Sequence, residues 1–217
     1  MAAKTLAQLK TRIARRFGSR TDLATQITDA LEDAQHTFEH SGFVHSCWFL
    51  AEDDPALSGT ANQRTLALPT GFLAENEQYD FCLFVQNADG KWIGLVRDTL
   101  TALNNDIGDV ETAEYPTHYA LTDTGYDLYP KPTLANTYRS LYMKEDSVLA
   151  ADGDSNLWST HAYQLLTAAA GLQVASELMN ADKINEFAAL TQTHRTALRN
   201  FAITRRESGG TMNMGSE

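Results

Sequence analysis

The sequence predicts an α+β fold, mostly an α-helical bundle of two N-terminal and two long C-terminal helices, with a β-rich insertion between them. Three observations carry this expectation. Leu157 to Ser176 is a run of twenty residues without an Asp, Glu, Lys or Arg. Its apolar positions Leu165, Leu166, Ala169 and Leu172 recur at helical spacing, while Ala168, Ala170, Gly171 and Ala175 leave the other sides without bulk, as suits a buried central helix. From Phe43 to about Leu149 the apolar pattern shortens to the strand period, and on both flanks it returns to the helical one.

In chain order, Thr5-x-x-Gln8 forms a capping-box pattern that opens a helix with Leu6, Leu9, Ile13 and Phe17 on one face, and Gly18 is placed to end it. A second helix carries Leu23, Ile27, Leu31, Ala34 and Phe38 inward and Asp22, Asp29, Glu32 and Asp33 outward, stopping near Ser41-Gly42. Short runs rich in β-formers come next, at Cys47–Ala51, Arg64–Leu68, Phe81–Gln86 and Lys91–Val96, the last two joined by an Asn87-Ala88-Asp89-Gly90 hairpin loop. Asp98 can cap a short helix over Thr99–Ile107. Strands then resume at Thr117–Leu121, Tyr126–Tyr129 and Thr137–Tyr142. After the central helix, Asp182 reads as the N-cap of a last helix whose Ile184, Phe187, Ala188, Leu198, Phe201 and Ala202 form an apolar stripe to about Arg206. The expected division is 1–43, an N-terminal helical half; 44–150, the β-rich insertion with its short helix; 151–206, a helical hairpin completing the bundle; and 207–217, a tail rich in Gly and Ser that is either flexible or ordered by a partner.

The net charge of −11 conceals a segregation. Residues 1–21 hold six basic side chains and no acid, whereas residues 22–182 hold 6 basic and 25 acidic ones. Such a division points to oppositely charged surfaces meeting within the fold, in different partners, or between copies of the chain. Ser159, Thr160, His161, Gln164 and Gln173 interrupt the apolar run short of the roughly 20 residues a membrane span needs, so no membrane role is expected. Cys47 and Cys82 match neither a metal-binding spacing nor a disulfide framework, and no signal-peptide pattern opens the chain; synthesis in a reducing cytoplasm is expected.

His36-Thr37-Phe38-Glu39-His40 matches the H-x-x-E-H pattern of inverted zinc peptidases, where two histidines one turn apart hold the metal and the Glu acts as base. It makes a zinc-dependent hydrolase the alternative function. A third ligand on a downstream helix is not apparent. Asp152-Gly153-Asp154-Ser155-Asn156 begins like a calcium loop, but Leu157 stands at the sixth position and Tyr163 at the twelfth, where such loops need Gly and Glu. No nucleophile is paired with a base, so the expectation is a protein that is not an enzyme and has no catalytic, cofactor-binding or metal-binding residues.

Four strings in sequence order carry a family resemblance: TLAQLKTRIARRFGSRTDLATQITDALEDAQ from Thr5, LALPTGFLAE from Leu66, YDLYPKPT from Tyr126 and DSNLWSTHAYQLL from Asp154. Together they resemble the head-to-tail adaptor (connector) proteins of tailed bacteriophages. The resemblance implies a structural virion protein, made in the host bacterial cytoplasm and located in the neck of the virion. There a twelve-membered ring of copies joins the portal protein to tail or nozzle proteins, and genomic DNA passes through its lumen at ejection without specific binding. It implies a C-terminal extension that grips the portal, which makes Arg199, Arg205, Arg206, Met212 and Met214 the candidate portal-binding residues. The small-residue faces at Ala168, Gly171 and Ala175 are the candidates for subunit packing, since a heterologous contact that closes makes a ring.

Overall fold

A computed structural model of the chain describes residues 2–106 and 111–208, with 105–106 and 206–208 as backbone alone. Its α-helices are α1 (Leu6–Arg16), α2 (Ala24–Glu39), α3 (Leu100–Asp106), α4 (Leu157–His161), α5 (Tyr163–Glu177) and α6 (Ala181–Ser208). The strands are β1 (Ala51–Ser58), β2 (Thr65–Ala67), β3 (Phe72–Glu75), β4 (Leu83–Gln86), β5 (Trp92–Gly94), β6 (Val96–Arg97), β7 (Thr112–Ala113), β8 (His118–Thr122), β9 (Gly125–Tyr129), β10 (Lys131–Pro132) and β11 (Thr137–Lys144). The fold is α+β with a β-rich centre, but the expected bundle with two long C-terminal helices is overturned. Helix accounts for less than half of the chain, and the stretch read as one central helix is two, α4 and α5, meeting at Ala162 with φ −132° and ψ 24°. The chain divides into two compact units, residues 1–50 with 145–217 and residues 51–144.

The first unit is helical. Thr5 accepts a hydrogen bond from Gln8 N while the Gln8 side chain accepts one from Thr5 N, closing the capping box of α1. Leu6, Leu9 and Ile13 are buried, and Gly18 at φ +77° lies just past the helix, in the left-handed region glycine tolerates best. Buried Leu23, Ile27, Leu31, Ala34 and Phe38 turn α2 inward. Its last turn is tied to the segment before α4 by a buried polar network. Glu39 Oε1 accepts from Trp158 Nε1 at 2.6 Å and from Gln35 Nε2 at 3.1 Å, and Asn156 Nδ2 donates to Gln35 Oε1 at 2.9 Å. Asn156 and Ser159 form the capping box of α4, whose first N–H groups also reach Asp146 Oδ2. These bonds hold Trp158 on Glu39 and anchor the start of α4. The last helix begins two residues earlier than its sequence suggests: Asn180 Oδ1 accepts from Lys183 N, and Asp182 sits inside the first turn, where its charge suits the helix dipole.

The second unit stacks two sheets. One has the order β1-β11-β4-β5, with β3 also on β11; the other runs β2-β9-β8-β6, and β7 pairs in parallel with β10. Leu66, Leu83, Val85, Leu95, Tyr119, Tyr126, Leu128 and Tyr138 form the core. Polar bonds join the two sheets as well. Tyr119 Oη on β8 donates to the buried Glu75 of β3 at 2.5 Å, Arg97 on β6 pairs with the other carboxylate oxygen at 2.6 Å, and Tyr126 meets Ser140 at 2.7 Å. Within the run Cys47–Ala51, expected as a strand, Trp48–Leu50 is a 3-10 turn that follows another at Val44–Ser46, and only Ala51 belongs to a strand, β1; Val44, Cys47, Phe49 and Leu50 are all buried. A single face of a half-exposed strand could not bury that many near-consecutive side chains.

Candidate functional site

Two surfaces of the helical unit combine chemistry with exposure. The first is an aromatic shelf at the distal half of α6. The 3-10 turn carries Trp48 to within 4.9 Å of the His161 ring and 5.9 Å of Phe201, while His161 stacks on Phe49 at 5.4 Å. The Arg205 guanidinium lies 4.1 Å over the Trp48 ring, a cation–π contact. A groove of about 420 Å³ opens here, lined among others by Trp48, His161, Tyr163, His194, Leu198 and Phe201. Burial, reinforced by the positive charge of Arg205, lowers the His161 pKa; burial with Arg12 nearby lowers that of His194. Both imidazoles therefore favour the neutral form, and the shelf pairs apolar surface with the cation of Arg205. Phe201 is 55% and Ile203 48% exposed, so the stripe expected for α6 is partly an outer surface; within it Phe187 and Ala202 are the fully buried positions.

The second is the outer face of α1. Lys10 pairs with Asp152, Arg16 with Glu186 and Arg20 with Asp22, each at 2.5 Å. Lys4, Arg12 and Arg15 have no carboxylate partner among the described residues, and they line a shallow groove of about 490 Å³ with Gln8 and Tyr163, over whose ring Arg12 sits at 5.2 Å.

Of the candidate portal-binding residues, Arg199 is exposed on α6 and Arg205 is placed on Trp48. The Arg206 side chain, Met212 and Met214 lie outside the described residues. The candidate packing residues Ala168, Gly171 and Ala175 are all buried inside the helical unit, and a Cβ on Gly171 would overlap the Phe187 ring of α6. The H-x-x-E-H residues do not converge: Glu39 is buried on Trp158, whereas His36 and His40 are exposed, stacked at 4.0 Å, with His40 Nδ1 turned to the His36 carbonyl. Among the described residues no group of three or more His, Cys, Asp or Glu is arranged to hold a metal. The calcium-like loop is a helix entry: Asp154 Oδ2 accepts from Ala150 N and Ala151 N, and Asn156 caps α4. The shelf around Trp48 is hidden in the sequence because Trp48-Phe49-Leu50 reads as strand; three consecutive large apolar residues are the available signal against alternation.

Residues 4–215 match the family described as SU10 adaptor protein. The chain belongs to that family. It is therefore a phage adaptor protein, structural in its role. No curated protein matches it. No described helix of this SU10-family adaptor is long and apolar enough to cross a membrane.

Proposed function

We propose that this SU10-family adaptor is a head-to-tail adaptor of the virion neck, a ring of about twelve copies that joins the portal to tail or nozzle proteins around the DNA passage. The observation that carries the reading is the family match across almost the entire chain, residues 4–215. The aromatic shelf adds to it. Arg199, Arg205, Phe201 and Ile203 place cations beside exposed apolar surface at the end of α6, the composition favoured at protein interfaces. With Arg206, Met212 and Met214, the next candidates along the sequence, they form the portal-binding region. The acidic excess of the β-rich unit, 14 acids against 6 bases over residues 51–144, is assigned in part to the lumen. A basic lining would hold duplex DNA through counterion release and oppose its passage.

The test is the mass of the purified protein alone and mixed with the portal of the same phage. A complex carrying many adaptor copies per portal ring is the expected result; an adaptor that stays free of the portal overturns the proposal.

A further inference from the structure

We propose that copies of this chain join head to tail through the basic face of α1 on one copy and the acidic face of α2 on the next; this rests on the ring reading above. The faces are built as complements. On α1, Arg12 and Arg15 stand one turn apart, exposed and without a carboxylate partner among the described residues, and Lys4 extends the same groove. On α2, Asp29, Glu32 and Asp33 are exposed at the same one-turn spacing, and Asp29 and Glu32 have no basic partner among the described residues; Asp33 accepts from Gln173 Nε2 at 2.7 Å. Residues three or four apart on a helix are surface neighbours, so each helix offers a compact charged pair.

Both faces belong to the same compact helical unit, which makes them a fixed pair of different surfaces. That is the requirement for a heterologous contact, in which each copy uses one face toward its predecessor and the other toward its successor, and closure gives a ring. The other basic residues of α1 are already neutralised at home, Lys10 by Asp152 and Arg16 by Glu186. The unneutralised ones therefore stand out as a recognition surface. Duplex DNA is the competing anion for this groove, and the net charge of −11 opposes it.

The experiment exchanges charges. One variant carries Arg12→Glu and Arg15→Glu; a second carries Asp29→Lys and Glu32→Lys. Mass is measured by sedimentation, alone and with the portal, for wild type, each variant and an equimolar mixture. Each variant alone has two like-charged faces and is expected to remain monomeric where wild type assembles. In the mixture each face of one variant meets an opposite face of the other, so assemblies of wild-type mass return as alternating rings, which close for an even number of copies such as twelve. Recovery in the mixture also shows that both variants are folded. Wild-type assembly should weaken as salt rises from roughly 0.05 to 0.5 M, because exposed pairs are screened over a Debye length of about 10 Å at 0.1 M. Variants that assemble like wild type, or a mixture that does not recover, overturn this contact while leaving the ring reading intact. Wild type that stays monomeric in both settings overturns both. Duplex DNA binding that is lost on reversing Arg12 and Arg15, with assembly unchanged, assigns the groove to DNA and also overturns the contact.

Discussion

Glu39 shows how one side chain can look catalytic in sequence and be structural in the fold. Its carboxylate is the acceptor for the buried indole N–H of Trp158, and burial raises its pKa, as it does that of Asp146 beside it. Removing the acceptor in Glu39→Ala should cost ~1–3 kcal/mol through an unsatisfied indole, read as a loss in denaturant unfolding; Glu39→Gln keeps an acceptor and should cost less. The pH dependence has a definite sign. A carboxylate whose folded pKa is above its unfolded one binds more protons when folded, so its contribution is greatest below the unfolded pKa and is lost as pH rises through the folded one. Stability measured from the ordinary carboxylate range upward should therefore fall less steeply in Glu39→Gln than in wild type, and an unchanged slope would contradict the assignment. Gly171 makes the complementary case. With the Phe187 ring against its Cα, Gly171→Leu should destabilise by ~1–3 kcal/mol through overpacking, measurable as a lowered melting temperature.

At the scale of elements, legibility depends on how local the determinants are. The start of α1 is readable because Thr5 and Gln8 bond within one turn, and α2 because its inward residues hold one phase for sixteen positions. The division of the central helix is not, because Ala162 looks helical in sequence and nothing local marks its non-helical φ of −132° and ψ of 24°. Strand β1 is hidden for a similar reason. Glu52, Asp53, Asp54 and Pro55 look like loop, and the strand exists because β11 pairs with it, with Arg139 held by Asp53 at 2.6 Å. Of the site, Arg199 and Arg205 can be named from charge, while the Trp48 shelf needs tertiary contacts to be seen. At the end of α6, deleting residues 207–217, which takes off only the last two residues of that helix, should leave melting unchanged within error but abolish co-sedimentation with portal rings; full attachment of the truncated protein would refute the role given to that segment.

For the molecule as a whole, charge and architecture share one partition. The β-rich unit carries most of the negative excess, and the two sheets within it are joined by the Arg97–Glu75–Tyr119 cluster as well as by their apolar core. If part of that excess lines a passage, the assembled protein should show no measurable binding to duplex DNA at physiological salt in a mobility-shift assay, and tight binding would speak against an acidic lumen. The partition also has a consequence in time. Strands β1 and β11, at the two ends of the β-rich unit, are partners, with Ala51 opposite Met143, so that unit cannot close before its last strand has been made. At roughly 5–20 residues per second, α1 and α2 then wait about 5–20 s for it to be made before α4 to α6 begin to emerge. Through that interval α1 and α2 lack α5, the helix that both of them pack against in the finished unit.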